Sequence, residues 1–438
     1  MKKILVLACV LLILVTGAAM AQGEGFVIGD ALPDAPELAA RGEYGVGVRT
    51  LTLTNPDQID ILNLSEANPT ATYDRELTVD VWYPAVIPDG AEQLTTYEGT
   101  IGRADRETAR PLLFDGRALR DAEPDADGAA YPLVIVSHGY PGSRYMMTYL
   151  TENLASKGYV VVAIDHTEST YADVGAFGST LFNRATDQIF VLDEMARLSS
   201  DSESFLNGLL DADNTALIGY SMGGYGALNV IGAGYGPVLG GFLGPVIEPR
   251  LAGADGYEAD ARLKAAVLFA PWGGNLAAAG APGVSLWEDE AFAGITVPTL
   301  WIVGSHDDVA YYDAIVNMFD NAVNSDRTLL TYVNALHNVA PNPPSLEAAT
   351  FAEYESLSEP AWDSRRLNNI NQHFITAFLG QHLQGNDDMA AYLDVAVESS
   401  NDGVYATDDA GAFTAAHTYW LGFQNRTALG MELRRENP

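Results

Sequence analysis

Cysteine is almost missing from this chain: the one present, Cys9, falls within the first residues. Residues 1–21 read as an export leader. Lys2 and Lys3 precede an apolar core over 4–15, and Ala19-Met20-Ala21 forms a small-x-small cleavage site before Gln22. Secretion, or release into a periplasm, by a bacterial cell is expected. Once the leader is removed no thiol is left, which excludes disulfides and a cysteine nucleophile. Basic residues are also scarce. Lys and Arg number 23 against 58 Asp and Glu, a formal charge of −35. A field of that sign excludes nucleic acid as a partner and disfavours anionic membrane surfaces. The acids are scattered, as on a solvated surface, and no D-x-D-x-D-G spacing points to calcium. No metal and no cofactor are expected. Beyond the leader, no run is long and apolar enough to span a bilayer. Residues 234–246 come nearest, and their glycines and prolines predict a loop.

What remains is ample core-forming material, 48% hydrophobic, and one elaborated α/β domain over residues 22–438 is expected. Residues 23–40 read as a poorly ordered lead-in. Alternating runs at 46–53 and 77–83 predict an N-terminal strand pair. Residues 85–130 are turn-rich and read as a long surface connection. The pattern then changes. Continuous apolar runs at 133–137, 159–164, 215–218, 265–269, 299–303 and 329–333 are interleaved with helical spacing at 145–157, 187–198 and 225–231. Strands separated by helices predict a mostly parallel, doubly wound sheet flanked by helices. Functional residues in such sheets gather at the strands' carboxyl ends. The glycine-rich stretch 232–262 is long for a connection and reads equally as a lid or pocket insert and as a surface excursion. From about 345 a C-terminal extension follows, and its aromatic segment 418–423 is expected to pack back on the domain.

One motif organises the rest. Gly219-Tyr220-Ser221-Met222-Gly223 sits between the apolar run 215–218 and a helix-like segment. Strand, tight turn and helix are the context that gives G-x-S-x-G its meaning as a nucleophile elbow. The turn lifts the Ser221 hydroxyl to the sheet's carboxyl edge, and the Met222 amide points to where oxyanion charge would collect. A serine hydroxyl also needs a base and a carboxylate to orient that base. Asp307 lies three residues past Gly304, which ends the 299–303 strand; its neighbour Asp308 reads as solvated or capping. His337 lies in the loop after the 329–333 strand. The order Ser221, Asp307, His337 is the one this architecture uses. Of the other histidines, His138 reads as shaping the turn after strand 133–137. His166 precedes the serine and could line a pocket, and His306 adjoins Asp307. His373, His382 and His417 read as structural or solvated. The Tyr140 amide, in the turn after strand 133–137, is the second oxyanion donor candidate.

These pieces carry a resemblance. Val46 to Thr50, Val81-Trp82-Tyr83-Pro84, Ser137-His138-Gly139-Tyr140, the elbow, Ala270-Pro271-Trp272, Asp307 and His337 with Ala340-Pro341-Asn342 together resemble the α/β-hydrolase superfamily. Within it they are similar to the serine-dependent dienelactone-hydrolase-like enzymes, akin to platelet-activating-factor acetylhydrolases and bacterial polyester hydrolases (cutinases). The resemblance implies a serine carboxylic-ester hydrolase acting on a small-molecule or polymeric ester. Tyr140 and Met222 would then supply the oxyanion amides, and Trp272 and Tyr140 would contact substrate. Dienelactone hydrolases proper use cysteine, which this chain cannot offer there, and the polyester hydrolases are shorter and often disulfide-stapled. Alternatives on the same fold are a lipase or phospholipase with 232–262 as its lid, a peptidase, and a non-catalytic binding module.

Overall fold

The computed structural model describes residues 25–244 and 259–438. The predicted leader, and residues 245–258 of the glycine-rich stretch, lie outside the described residues. Long strands β1 (Gly45–Ile59) and β2 (Thr72–Val86) pair antiparallel. After them come a separate hairpin of β3 (Thr95–Ile101) and β4 (Arg110–Gly116), and two short strands, β5 (Leu119–Arg120) and β6 (Glu123–Pro124). The parallel set follows: β7 (Tyr131–Ser137), β8 (Val160–Asp165), β9 (Leu210–Tyr220), β10 (Leu263–Phe269), β11 (Thr299–Gly304) and β12 (Arg327–Tyr332). A last strand, β13 (Met431–Glu436), runs antiparallel to β12. The main sheet is ordered β13-β12-β11-β10-β9-β7-β8-β2-β1-β5, with β6 beside β2.

Helices α1 (Thr148–Ala155), α2 (Phe177–Ser200), α3 (Met222–Leu228), α5 (Tyr312–Asn321) and α7 (Ser364–His382) accompany the parallel strands; α4 (Pro237–Leu243) and α6 (Phe351–Glu355) are short. With both faces covered, the central stretches of β7 to β11, residues 133–136, 160–164, 216–218, 265–269 and 300–303, are apolar and buried. The chain winds from β7 to β8, then crosses back to place β9 on the other side of β7. That reversal leaves a crevice at the carboxyl ends of β7 and β9, where a ligand site is favoured in open α/β sheets.

Several expectations need correction. The 85–130 connection folds into the β3–β4 hairpin, anchored by fully buried Tyr97. Its hydroxyl donates to Glu152 at 2.6 Å and accepts from the Trp82 indole at 2.7 Å. The 23–40 lead-in is tied down where it is described: Leu32 N donates to Asn369, Leu38 N to His373 and Glu37 N to Gly422 O. Part of 234–246 is the helix α4, with Pro237 in its first turn, where a missing N–H costs nothing. The C-terminal extension is integral. Trp420 and Phe423 are buried, as the aromatic segment implied, and β13 adds a strand that its charged sequence hides. Among the described residues, no helix is long and apolar enough to cross a membrane.

Candidate active site

Ser221 closes β9 and caps α3 at φ 53°, ψ −111°, a strained region for any residue but glycine. Three elements hold it there. Its amide donates to Phe269 O at 2.9 Å, and its carbonyl accepts from Tyr225 N at 2.9 Å and Trp272 N at 3.1 Å. The flanking glycines supply room rather than flexibility: a Cβ on Gly219 would lie 2.4 Å from Gly223 O, and one on Gly223 2.0 Å from Ser137 O. Gly139, in the turn after β7, sits so close that a Cβ there would be 3.5 Å from that of Ser221. Among the described residues, the amides of Tyr140 and Met222 donate to no protein acceptor.

Paired strands β11 and β12 end side by side, which brings their loops together. Asp307, in the first, accepts at Oδ2 from His337 Nδ1 in the second, at 2.8 Å. Its Oδ1 takes the amides of Val309 (3.0 Å), Ala310 (2.7 Å) and Tyr311 (3.3 Å). Burial alone would raise the Asp307 carboxyl; His337 and these amides outweigh it and hold the carboxyl below its ordinary value. Asp308 next door is exposed. The His337 ring lies 5.2 Å from the Tyr220 ring, whose hydroxyl donates to Asn338 at 2.9 Å. The serine's own neighbour therefore docks the histidine loop on the elbow. Ser221 Oγ and His337 are not themselves hydrogen-bonded here; such contacts often close only with substrate bound. With Nδ1 engaged by Asp307, Nε2 is the nitrogen left for the serine.

Comparison with known proteins gives this arrangement its relatives. The PET hydrolase-like family matches residues 122–234, which span the turn after β7 and the elbow. Cutinase est1 of Thermobifida alba is 29% identical over 238 residues, 54% of this chain and 63% of that protein. Cutinase est2 of the same organism is 30% identical over 214 residues, 48% of this chain and 54% of that protein. The chain thus spans less than two thirds of the length of either relative. Among solved structures, a ferulic acid esterase from Streptomyces cinnamoneus superposes with a TM-score of 0.51 at 21% identity, over 80% of this chain and 94% of that one. That likeness speaks for the fold. The chain has the α/β-hydrolase fold and is similar in sequence to the cutinases.

The remaining candidates fall as follows. His138 and His166 are buried beneath the turn after β7, so His166 lines no open pocket, because its ring nitrogens are spent on Ser137 and Asp187. His306 is exposed, and His373 is buried between α7 and the lead-in. Trp272 is 5% exposed and packs edge-on to Phe177 at 5.5 Å, which in turn meets Tyr140 at 5.1 Å. This row of three rings links the residues expected to contact substrate. Phe177, Asn338 and Glu359 carry no mark in the sequence that singles them out. Glu359 accepts from Leu336 N at 2.8 Å and so braces the histidine loop, from a position 23 residues away. Among the described residues no cluster of His, Cys, Asp and Glu could hold a metal ion. A cavity of about 350 Å³ beside Phe26, Leu94 and Phe114 includes none of the residues above.

Proposed function

We propose that this chain is a secreted serine carboxylic-ester hydrolase, with residues 1–21 as its leader and residues 22–438 as one catalytic domain. In this reading His337, oriented by Asp307, takes the Ser221 proton at Nε2 as Oγ attacks the ester carbonyl. The amides of Tyr140 and Met222 receive the developing oxyanion. His337 then returns the proton to the leaving alcohol, and water releases the acyl group by the same route. The observation that carries the reading is the 2.8 Å Asp307–His337 hydrogen bond, set against a positive-φ serine in a glycine-walled turn. A second reading, hydrolysis of an insoluble polyester, is favoured by the PET hydrolase-like match and the cutinase names. The aromatic row of Tyr140, Phe177 and Trp272 suits flat or apolar ester chains.

A fluorophosphonate probe tests the first reading. The exported protein is expected to carry one adduct, on Ser221, and Ser221→Ala none, with turnover of p-nitrophenyl esters falling on the order of 10⁶-fold. A folded protein that takes no label, or that labels elsewhere and still turns over as Ser221→Ala, would sink it. Release of soluble acid from a polyester film, lost in the same variant, tests the second.

A further inference from the structure

Beneath the site lies a second Ser–His–Asp line that the esterase reading does not use. Ser137 Oγ is 2.8 Å from His166 Nε2, and His166 Nδ1 is 2.8 Å from Asp187 Oδ2. All three residues are at most 1% exposed, so no substrate carbonyl reaches Ser137. Asp187 also takes Arg75, whose Nε and Nη2 lie 2.7 and 2.9 Å from its two oxygens. Burial alone would raise the Asp187 carboxyl, but Arg75 and His166 bring it down to about 2, so it is an anion. Only one tautomer of His166 suits an anion there. Nδ1 carries the proton toward Asp187, and Nε2 accepts from the Ser137 hydroxyl.

With its ring held at both nitrogens, His166 also meets His138 through its backbone. The backbone N–H of His166 donates to His138 Nε2 at 3.2 Å, so that nitrogen holds a lone pair and the proton sits on Nδ1. His138 Nδ1 then donates to Gly139 O at 2.6 Å. That carbonyl belongs to the same planar, trans peptide as the Tyr140 N–H, and in such a unit C=O and N–H point opposite ways. Pinning one aims the other. Arg184 completes the frame, donating to His138 O at 2.6 Å and to Ser169 Oγ. Arg184 and His166 are the charged and titratable groups that face His138, and with burial they disfavour its protonation. A protonated ring would turn Nε2–H against the His166 N–H.

We propose that the sealed Ser137–His166–Asp187 line is a positioning device: by fixing His166 it places the backbone N–H that keeps His138 as the neutral Nδ1–H tautomer, and thereby aims the Tyr140 amide at the oxyanion. The inference deepens the esterase reading and rests on it. Its test has two arms. ¹⁵N spectra of the histidines in the wild-type protein, assigned by loss of one signal in His138→Asn, are expected to show His138 neutral with the proton on Nδ1 from about pH 5 to pH 9. An Nε2–H tautomer, or titration within that range, would overturn the proposal whatever the enzyme's activity. The second arm compares kinetics on a p-nitrophenyl ester. Asn offers an amide N–H near the Nδ1 position and Gln does not. His138→Gln should lose kcat on the order of 10²-fold, as for a lost oxyanion donor, with KM little changed, and His138→Asn should recover most of it. Equal losses in both variants, or KM rising while kcat holds, would reduce His138 to a packing residue. A wild type inactive on esters and unlabelled at Ser221 would instead count against the esterase reading, with the tautomer result standing on its own.

Discussion

Asp307 and Asp308 are the same residue type side by side, yet they live in different solvents. Asp307 is buried, accepts three backbone amides through one oxygen and holds His337 with the other; Asp308 is exposed. An amide at 307 would keep the shape but present the wrong partner to Nδ1, and the comparable change in a serine triad costs about 10⁴ in kcat. Asp307→Asn should therefore lose activity on that scale while Asp308→Asn keeps it, measured on one soluble ester. The reverse ranking would place the acid at 308. At this scale part of the site is legible in the sequence, because an elbow, a strand-end carboxylate and a loop histidine each carry a local mark. Arg184 and Asp187 carry none. They lie in the 24-residue helix α2, where polar residues ordinarily face water, and their partners Ser169, His138 and Arg75 are remote in sequence.

Elements sort by how far each can be read from its own residues. The parallel strands announce themselves because burial on both faces demands short apolar runs such as 133–136, 160–164, 216–218 and 265–269. Strand β13, Met-Glu-Leu-Arg-Arg-Glu, does not, since it pairs at an edge and buries one face alone, through Met431 and Leu433. It gains its place from β12, about a hundred residues earlier, through a six-residue antiparallel register. Its ion pair from Arg435 to Asp326 at 2.8 Å ties it further. Removing residues 431–438 should cost about 1.5–3 kcal/mol for each of the two buried side chains and leave β12 as an open edge, prone to pair with another chain. Urea unfolding with light scattering would register both effects. An unchanged midpoint and no scattering would mean that β13 is an ornament on the sheet.

Across the whole molecule, the lead-in, the end of α1 and the middle of α7 meet at the amine of the half-buried Lys157. Lys157 Nζ donates to Leu38 O at 2.6 Å, Asn153 Oδ1 at 2.7 Å and Thr376 Oγ1 at 2.7 Å. No carboxylate is among these partners. Burial, with Arg41 nearby, brings Lys157 from 10.5 down to about 7. A neutral amine still satisfies the site by donating twice and accepting from the Thr376 hydroxyl. The sign of the linkage follows. Between about 7 and 10.5 the unfolded chain holds a proton at Lys157 that the folded chain has released, so folding gains stability as pH rises through that window and is flat below it. The slope from one proton is at most about 1.4 kcal/mol per pH unit. Lys157→Met keeps the stem and removes the amine, so subtracting its stability cancels the titration of the chain's other groups. Urea midpoints taken from pH 6 to pH 10 should show the wild type gaining on the variant only above pH 7. A difference that stays level, or falls, would mean that Lys157 remains an ammonium in the fold, held by three neutral oxygens alone.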